Sequence, residues 1–164
     1  MPSTFAALDP LSRLSLLVFR AQRALNLEGD QLSAADGLTS AKWKVLGAVD
    51  LSVQPMSAAA IGRAMGLTRQ AALKQTDQLK AMGLLVQQVN PSDARAPVYS
   101  LSPRGQLAYD RLSAAWREHS AALCHGITPD ALDAASQVLT TLLAQMDSCA
   151  QRTLLPNEAG PTTP

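Results

Sequence analysis

Leu11, Leu14, Leu17, Val18, Ala21 and Leu25 recur at helical spacing, with Arg13, Arg20 and Arg23 between them. That pattern predicts a first helix. Asp9 is its N-cap, and Pro10 suits the first helical position, where a missing N–H has no helical partner to lose. Residues 28–37 have little periodicity and read as a loop or a short helix. A second helix is expected from Thr39 to about Leu51, with Trp43, Leu46 and Val49 on one face; Gln54-Pro55 ends it, because proline disfavours helix in the residue before it. Ser57 caps a short third helix holding Ala60, Ile61, Ala64 and Met65. Gly66 then makes a tight turn that lets the third and fourth helices cross closely, Thr68 caps the fourth helix, and Gly83 stops it near Met82.

Beyond Gly83 the period changes. Leu84-Leu85-Val86 and Val98-Tyr99-Ser100-Leu101 predict two short strands, and residues 90–97 between them are rich in turn formers. Together they make a hairpin with a long, charged tip. Ser102-Pro103 and Thr128-Pro129 repeat the cap-plus-proline start. A fifth helix then carries Leu107, Leu112, Ala115 and Trp116 to about His125. A sixth carries Leu132, Ala135, Leu139, Leu142 and Met146. The tail from Pro156 is small, polar and proline-rich, a composition expected to be disordered.

The expected fold class is mainly α with a small β-hairpin wing: a winged helix-turn-helix plus a helical dimerisation region. Residues 1–38 form an N-terminal dimerisation helix and connecting loop, and 39–104 the winged helix-turn-helix. Residues 105–155 form C-terminal dimerisation helices, and 156–164 the tail.

Composition agrees. With 47% hydrophobic and 16% charged residues, the 164-residue chain can build one sizeable core. Its few aromatics and many Ala and Leu favour helix. The net charge of +1 is uninformative, but its distribution is not. Residues 40–111 hold nine of the 14 Lys/Arg and four of the 13 Asp/Glu, a balance of +5 against −4 for the rest. Such segregation suggests that the middle of the chain faces a polyanion.

Other classes find little support. Cys124 and Cys149 form neither a disulfide framework nor a zinc pattern. No basic stretch followed by an apolar run marks a secretory signal, and no apolar segment is long enough to span a bilayer. A soluble cytoplasmic protein without membrane contact is expected. There is no Gly-rich phosphate loop, His-Glu metal helix or nucleophile elbow, so neither an enzyme nor a cofactor is expected. His119, Cys124 and His125 lie close in sequence, but their spacing matches no standard zinc set, and no metal is expected.

The helix, tight turn, helix and hairpin order points to double-stranded DNA. A helix fits the major groove, where base edges are distinguishable, and a hairpin tip can reach the neighbouring minor groove, whose negative potential attracts arginine. On the fourth helix, Arg69, Gln70, Lys74, Asp77 and Gln78 fall opposite Ala72, Thr76 and Leu79. Arg69 and Gln70 lie in the first turn, where they can pair with guanine and adenine, and Lys74 suits a phosphate. The amides behind Ser57 and Thr68 can hold phosphates too. In the hairpin, Arg95 is the minor-groove candidate, with Asp93 placed to aim its guanidinium. A solvated helix face and a surface ion pair are the plainer alternatives.

Residues 38 to about 112 resemble the MarR (multiple antibiotic resistance regulator) family. The resemblance rests on Leu38-Thr39 with Trp43, Val45 and Leu46. It continues through Ile61-Gly62-Arg63-Ala64-Met65-Gly66-Leu67-Thr68, Leu79 and Met82-Gly83-Leu84-Leu85. It ends on Asp93-Ala94-Arg95 and Tyr99-Ser100-Leu101-Ser102-Pro103-Arg104-Gly105. It implies a homodimer on pseudo-palindromic DNA, with the first, fifth and sixth helices interleaved and the two recognition helices roughly 10 base pairs apart. It also implies a regulator, more often a repressor, released by a small aromatic or phenolic ligand bound among the first, second and fifth helices. Arg20, Trp43 and Trp116 are the lining candidates, although tryptophans also commonly pack in cores. The chain departs from the family at Leu73, where a polar residue often faces DNA, at Gln75, where an apolar one is usual, and at Lys42. Leu73 can instead meet a thymine methyl. Two alternatives remain: a winged-helix module that docks proteins without binding DNA, and a redox-responsive regulator using Cys124 and Cys149.

Overall fold

The computed structural model describes residues 7–154. The tail expected to be disordered, and the first six residues of the N-terminal segment, lie outside them. Two compact units result, one ending at His119 and one starting at Ser120.

In the first unit the order is α1 (Pro10–Ser33), a 3-10 turn (Ala34–Asp36), α2 (Ser40–Asp50), β1 (Met56–Ser57), α3 (Ala58–Met65), α4 (Arg69–Ala81), β2 (Leu85–Gln88), β3 (Val98–Leu101) and α5 (Pro103–Leu123), whose last turn crosses into the second unit. The second unit is chiefly α6 (Pro129–Leu154). The caps fall where the sequence placed them. Asp9 accepts the N–H groups of Leu11 and Ser12, Thr39 that of Lys42, Ser57 that of Ala60, and Thr68 that of Ala71. Each removes an orphan donor from a first turn.

Three features differ from expectation. The segment 28–37, expected as a loop or a short helix, is mostly helical: α1 continues to Ser33 and a short 3-10 turn covers Ala34–Asp36. Its inward residues, Gly29 and Ser33, are small rather than apolar, so the hydrophobic period vanishes while the helix persists. The buried Ser33 hydroxyl is satisfied by donating to Gly29 O at 2.6 Å. Secondly, β1 joins the hairpin as a third strand, giving the antiparallel order β1-β3-β2. Two residues carry no period of their own, and only the pairing of Met56 with Tyr99 and Ser57 with Val98 reveals them. Thirdly, Gly66 makes the turn in a left-handed conformation (φ 62°) but has open space around it. The close approach between α3 and α4 falls at Gly62 instead, where a Cβ would stand 2.9 Å from Leu67 O.

The core lies between α2, α3, α4, the sheet and α5. Val45, Leu46, Ile61, Leu79, Tyr99 and Leu112 are essentially inaccessible to solvent. Burying side chains of this size contributes roughly 1.5–3 kcal/mol each and holds α4 and the hairpin on one support.

Candidate nucleic-acid interface

The fourth helix divides as its sequence predicts. Ala72, Thr76 and Leu79 are buried, and Arg69, Gln70, Lys74, Asp77 and Gln78 are exposed. Thr76 tolerates burial because its hydroxyl donates to Leu73 O at 2.8 Å. Leu73 is 43% exposed on the outer face. Gln75 is half-buried, and its buried Oε1 has no hydrogen-bond partner among the described residues. Near the helix end, Lys80 donates to Gln87 on β2 at 2.8 Å and stands 3.8 Å from Asp77.

The hairpin tip is built by its own short hydrogen bonds. Asn90 Oδ1 accepts the Ser92 N–H at 3.0 Å, and Asn90 Nδ2 donates to Ala96 O at 3.1 Å. Asp93 does not hold the Arg95 guanidinium, as its spacing suggested. Its Oδ1 accepts the Arg95 backbone N–H at 3.0 Å instead. Two residues of separation favour this local ring, which costs little side-chain entropy, over reaching a long flexible guanidinium. Asp93 therefore shapes the backbone under Arg95.

Tertiary folding brings four of the candidates together. Ser57, Arg69, Leu73 and Arg95 line one cleft of about 120 Å³ between the start of α3, the outer face of α4 and the hairpin. Thr68, Gln70, Lys74 and Asp93 are not on its walls.

Residues 102–105 have a role that sequence reasoning missed. Ser102 Oγ donates to Gly83 O at 2.7 Å and accepts the Gly105 N–H at 2.9 Å. Arg104 Nη1 donates to Met82 O at 3.1 Å. The carbonyls that follow α4 are thus tied to the start of α5. A serine before a proline announces a cap, but nothing in the sequence says that the same hydroxyl also grips another helix.

A second concavity, about 440 Å³, opens among α1, α2 and α5. Trp43 and Trp116 stand on its wall edge to face, with ring centroids 5.7 Å apart at 69°. Tyr109, Lys44 and Arg117 also line it. Arg20 does not: it is exposed on α1 and absent from the wall. Five residues at 100° each put it about 140° around the helix from Leu25, which does line the cavity. Lys44 Nζ donates to Asn26 Oδ1 at 2.5 Å. Nearby, Asp30 Oδ1 accepts the Ser40 N–H at 2.7 Å, and that bond, assisted by the charge of Lys44, holds the Asp30 carboxyl below its ordinary pKa.

His119 Nε2 lies 2.8 Å from Glu28 Oε2, near enough for an ion pair when the ring is protonated but too misaligned for a hydrogen bond. Among the described residues no group of three His, Cys, Asp or Glu is placed to hold a metal, and no helix is long and apolar enough to cross a membrane. Cys124 is half-buried, Cys149 is exposed, and both are thiols.

Residues 36–96 match the model of the MarR family. That segment, from the 3-10 turn through α4 to the hairpin tip, is similar to the MarR family. The matched segment and the shared fold support a DNA-binding transcription regulator. Over 138 residues it is 25% identical to an uncharacterized protein of Mycobacterium tuberculosis, covering 84% of this chain and 95% of the relative. Among solved structures it is similar to the transcriptional repressor CouR bound to a 23-mer DNA duplex, with 25% identity, a TM-score of 0.68, and coverage of 79% of this chain and 92% of that one. BpsR of Bordetella bronchiseptica, whose DNA binding is regulated by 6-hydroxynicotinic acid, shares the fold at 21% identity with a TM-score of 0.68 over 79% of this chain and 98% of its own.

Proposed function

We propose that the chain acts as a cytoplasmic homodimeric repressor that binds a pseudo-palindromic operator and leaves it when a small aromatic ligand binds. In this reading residues 39–104 are the DNA-binding domain. The helices on either side, within 1–38 and 105–155, are the dimerisation region. α4 enters the major groove, and the hairpin reaches the adjoining minor groove. Ser57 and Thr68, with the first-turn amides they cap, meet phosphates. Arg69, Gln70 and Leu73 face the duplex, with Lys74 on a phosphate; Arg95, set by the Asp93 turn, carries the wing contact.

The observation that carries the proposal is the shared cleft. It lies where a recognition helix and a wing must flank duplex DNA, and it gathers Arg69 and Arg95 from elements 26 residues apart in sequence. CouR, bound to its duplex as a repressor, supports the direction of regulation. The dimer is supported by unpartnered apolar surface. On α1, Leu16, Leu17 and Phe19 are exposed, Phe19 by 65%; on α6, Leu143 and Met146 are 64% and 58% exposed. Faces of this kind mark interaction surfaces.

Trp43 and Trp116 remain ligand candidates, joined by Lys44 and Arg117 in the place proposed for Arg20. At about 440 Å³ the cavity falls within the range of small-molecule sites. The regulation of BpsR by 6-hydroxynicotinic acid supports a ring bearing an acid group.

The test is anisotropy of a labelled duplex recovered from cellular DNA bound to the protein, titrated at several salt concentrations. Affinity should fall steeply with salt, because bound phosphates release counterions, and Arg95→Ala should weaken it by about 1–3 kcal/mol. Light scattering should give a dimer. Absence of duplex binding at low salt would favour a protein-docking module instead.

A further inference from the structure

The cleft between α4 and the hairpin holds a charge arrangement that the groove-by-groove assignment leaves unexplained. Arg69 and Arg95 both line it. Among the described residues neither guanidinium has an ion-pair or hydrogen-bond partner, and no carboxylate lines the cleft. Asp93, the nearest acid in sequence to Arg95, is committed to a backbone N–H. Two unpaired cations sharing one small concavity repel each other unless an anion sits between them.

The size narrows the anion. About 120 Å³ is well below the roughly 300–1,000 Å³ of small-molecule sites. A single tetrahedral oxyanion fits such a space, and the two guanidinium groups call for a charged occupant.

Duplex geometry supplies the source. The grooves on either side of a strand are separated by its sugar-phosphate ridge. A helix in the major groove and a hairpin at the adjoining minor groove must straddle that ridge, so the cleft between them receives it. We propose that Arg69 and Arg95 clamp one phosphodiester of this ridge from its two sides, with the exposed Leu73 packing beside the sugar. Arginine suits the task because its planar fork matches phosphate oxygens in pairs. Arg69 is then a positioning contact, and base reading on α4 passes to Gln70 and its neighbours. The inference rests on the DNA-binding reading and specifies the atoms that this cleft contacts.

The test compares Arg69→Ala, Arg95→Ala and the double variant on two labelled duplexes, one selected from a randomised pool by the wild-type protein and one unselected. Both positions are exposed, and circular dichroism checks that the variants fold. Each single change should weaken binding to both duplexes by the same factor, about tenfold or more, with partial recovery in Arg69→Lys. Each single change should leave the salt slope nearly intact, because the remaining arginine still neutralises the phosphate; the double change should lower it by about 0.9. A methylphosphonate at the clamped phosphate should abolish the effect of both substitutions. Loss confined to the selected duplex in Arg69→Ala would show base reading and overturn the clamp. Slopes that fall by about 0.9 in each single variant and by twice that in the double would show two separate phosphates and overturn it too. Failure of the wild-type protein to bind either duplex would overturn the DNA-binding reading itself.

Discussion

Ser102 donates its hydroxyl to the Gly83 carbonyl at 2.7 Å, across 19 residues, while accepting the Gly105 N–H at 2.9 Å. One side chain therefore finishes α4 and starts α5. The end of α4 and the start of the long fifth helix share a hydrogen-bonded joint.

Ser102→Ala should lower stability by about 1–2 kcal/mol, since it removes a cap and leaves the Gly83 carbonyl without this donor. Urea denaturation checks this. A midpoint equal to wild type would show that the joint contributes nothing.

Gly105→Ala should be worse than its size suggests. A Cβ on Gly105 would overlap the backbone carbonyl oxygen of Leu84, which cannot swing aside as a side chain can. Separation of α5 from the start of β2 is required, at a cost of about 1–3 kcal/mol. Thermal unfolding should show a clear drop in midpoint, whereas alanine at the exposed Arg104 position loses only its bond to Met82 O.

The acid limb of stability should depend on Asp30. Its folded-state pKa lies below the ordinary value of 3.8, first because of the Ser40 N–H, then the Ser40 side chain, and last the charge of Lys44. A carboxylate depressed on folding stabilises fully above its unfolded pKa and loses that contribution as pH falls through the folded one. Stability of the wild-type protein should therefore fall with acid from about pH 4 downward more steeply than that of Asp30→Asn. Parallel pH profiles from chemical denaturation would remove Asp30 from the account.

The chain has two tryptophans, and both stand on one cavity wall. Intrinsic tryptophan emission therefore reports on that cavity alone. Titration with benzoate, salicylate and nicotinate should give saturable quenching with at least one of them, weakened in Lys44→Ala, and the same compound should reduce duplex affinity. Unchanged emission across the panel, in protein that still binds DNA, would count against an acid-bearing ring as ligand.

Much of this was legible along the chain. Asp9, Thr39, Ser57 and Thr68 mark helix starts because their short side chains satisfy first-turn amides locally, and local chemistry is written in sequence. The two faces of α4 follow from its 3.6-residue period. Other features escaped for equally physical reasons. The end of α1 packs through Gly29 and Ser33, which leave no apolar rhythm. β1 is two residues long and exists through its partner Tyr99. Asp93 chose a backbone amide over a guanidinium, which spacing alone cannot distinguish.

The amino-acid order alone determined the succession of elements, their caps and which side of α4 meets solvent, since these depend on neighbours within about one helical turn. Only the folded chain decided that Arg69 and Arg95 share a cleft, that Lys44 and Arg117 rather than Arg20 flank the tryptophans, and that Ser102 bridges two helices. Such partners lie far apart in sequence and meet through core packing, so no local period encodes their distance.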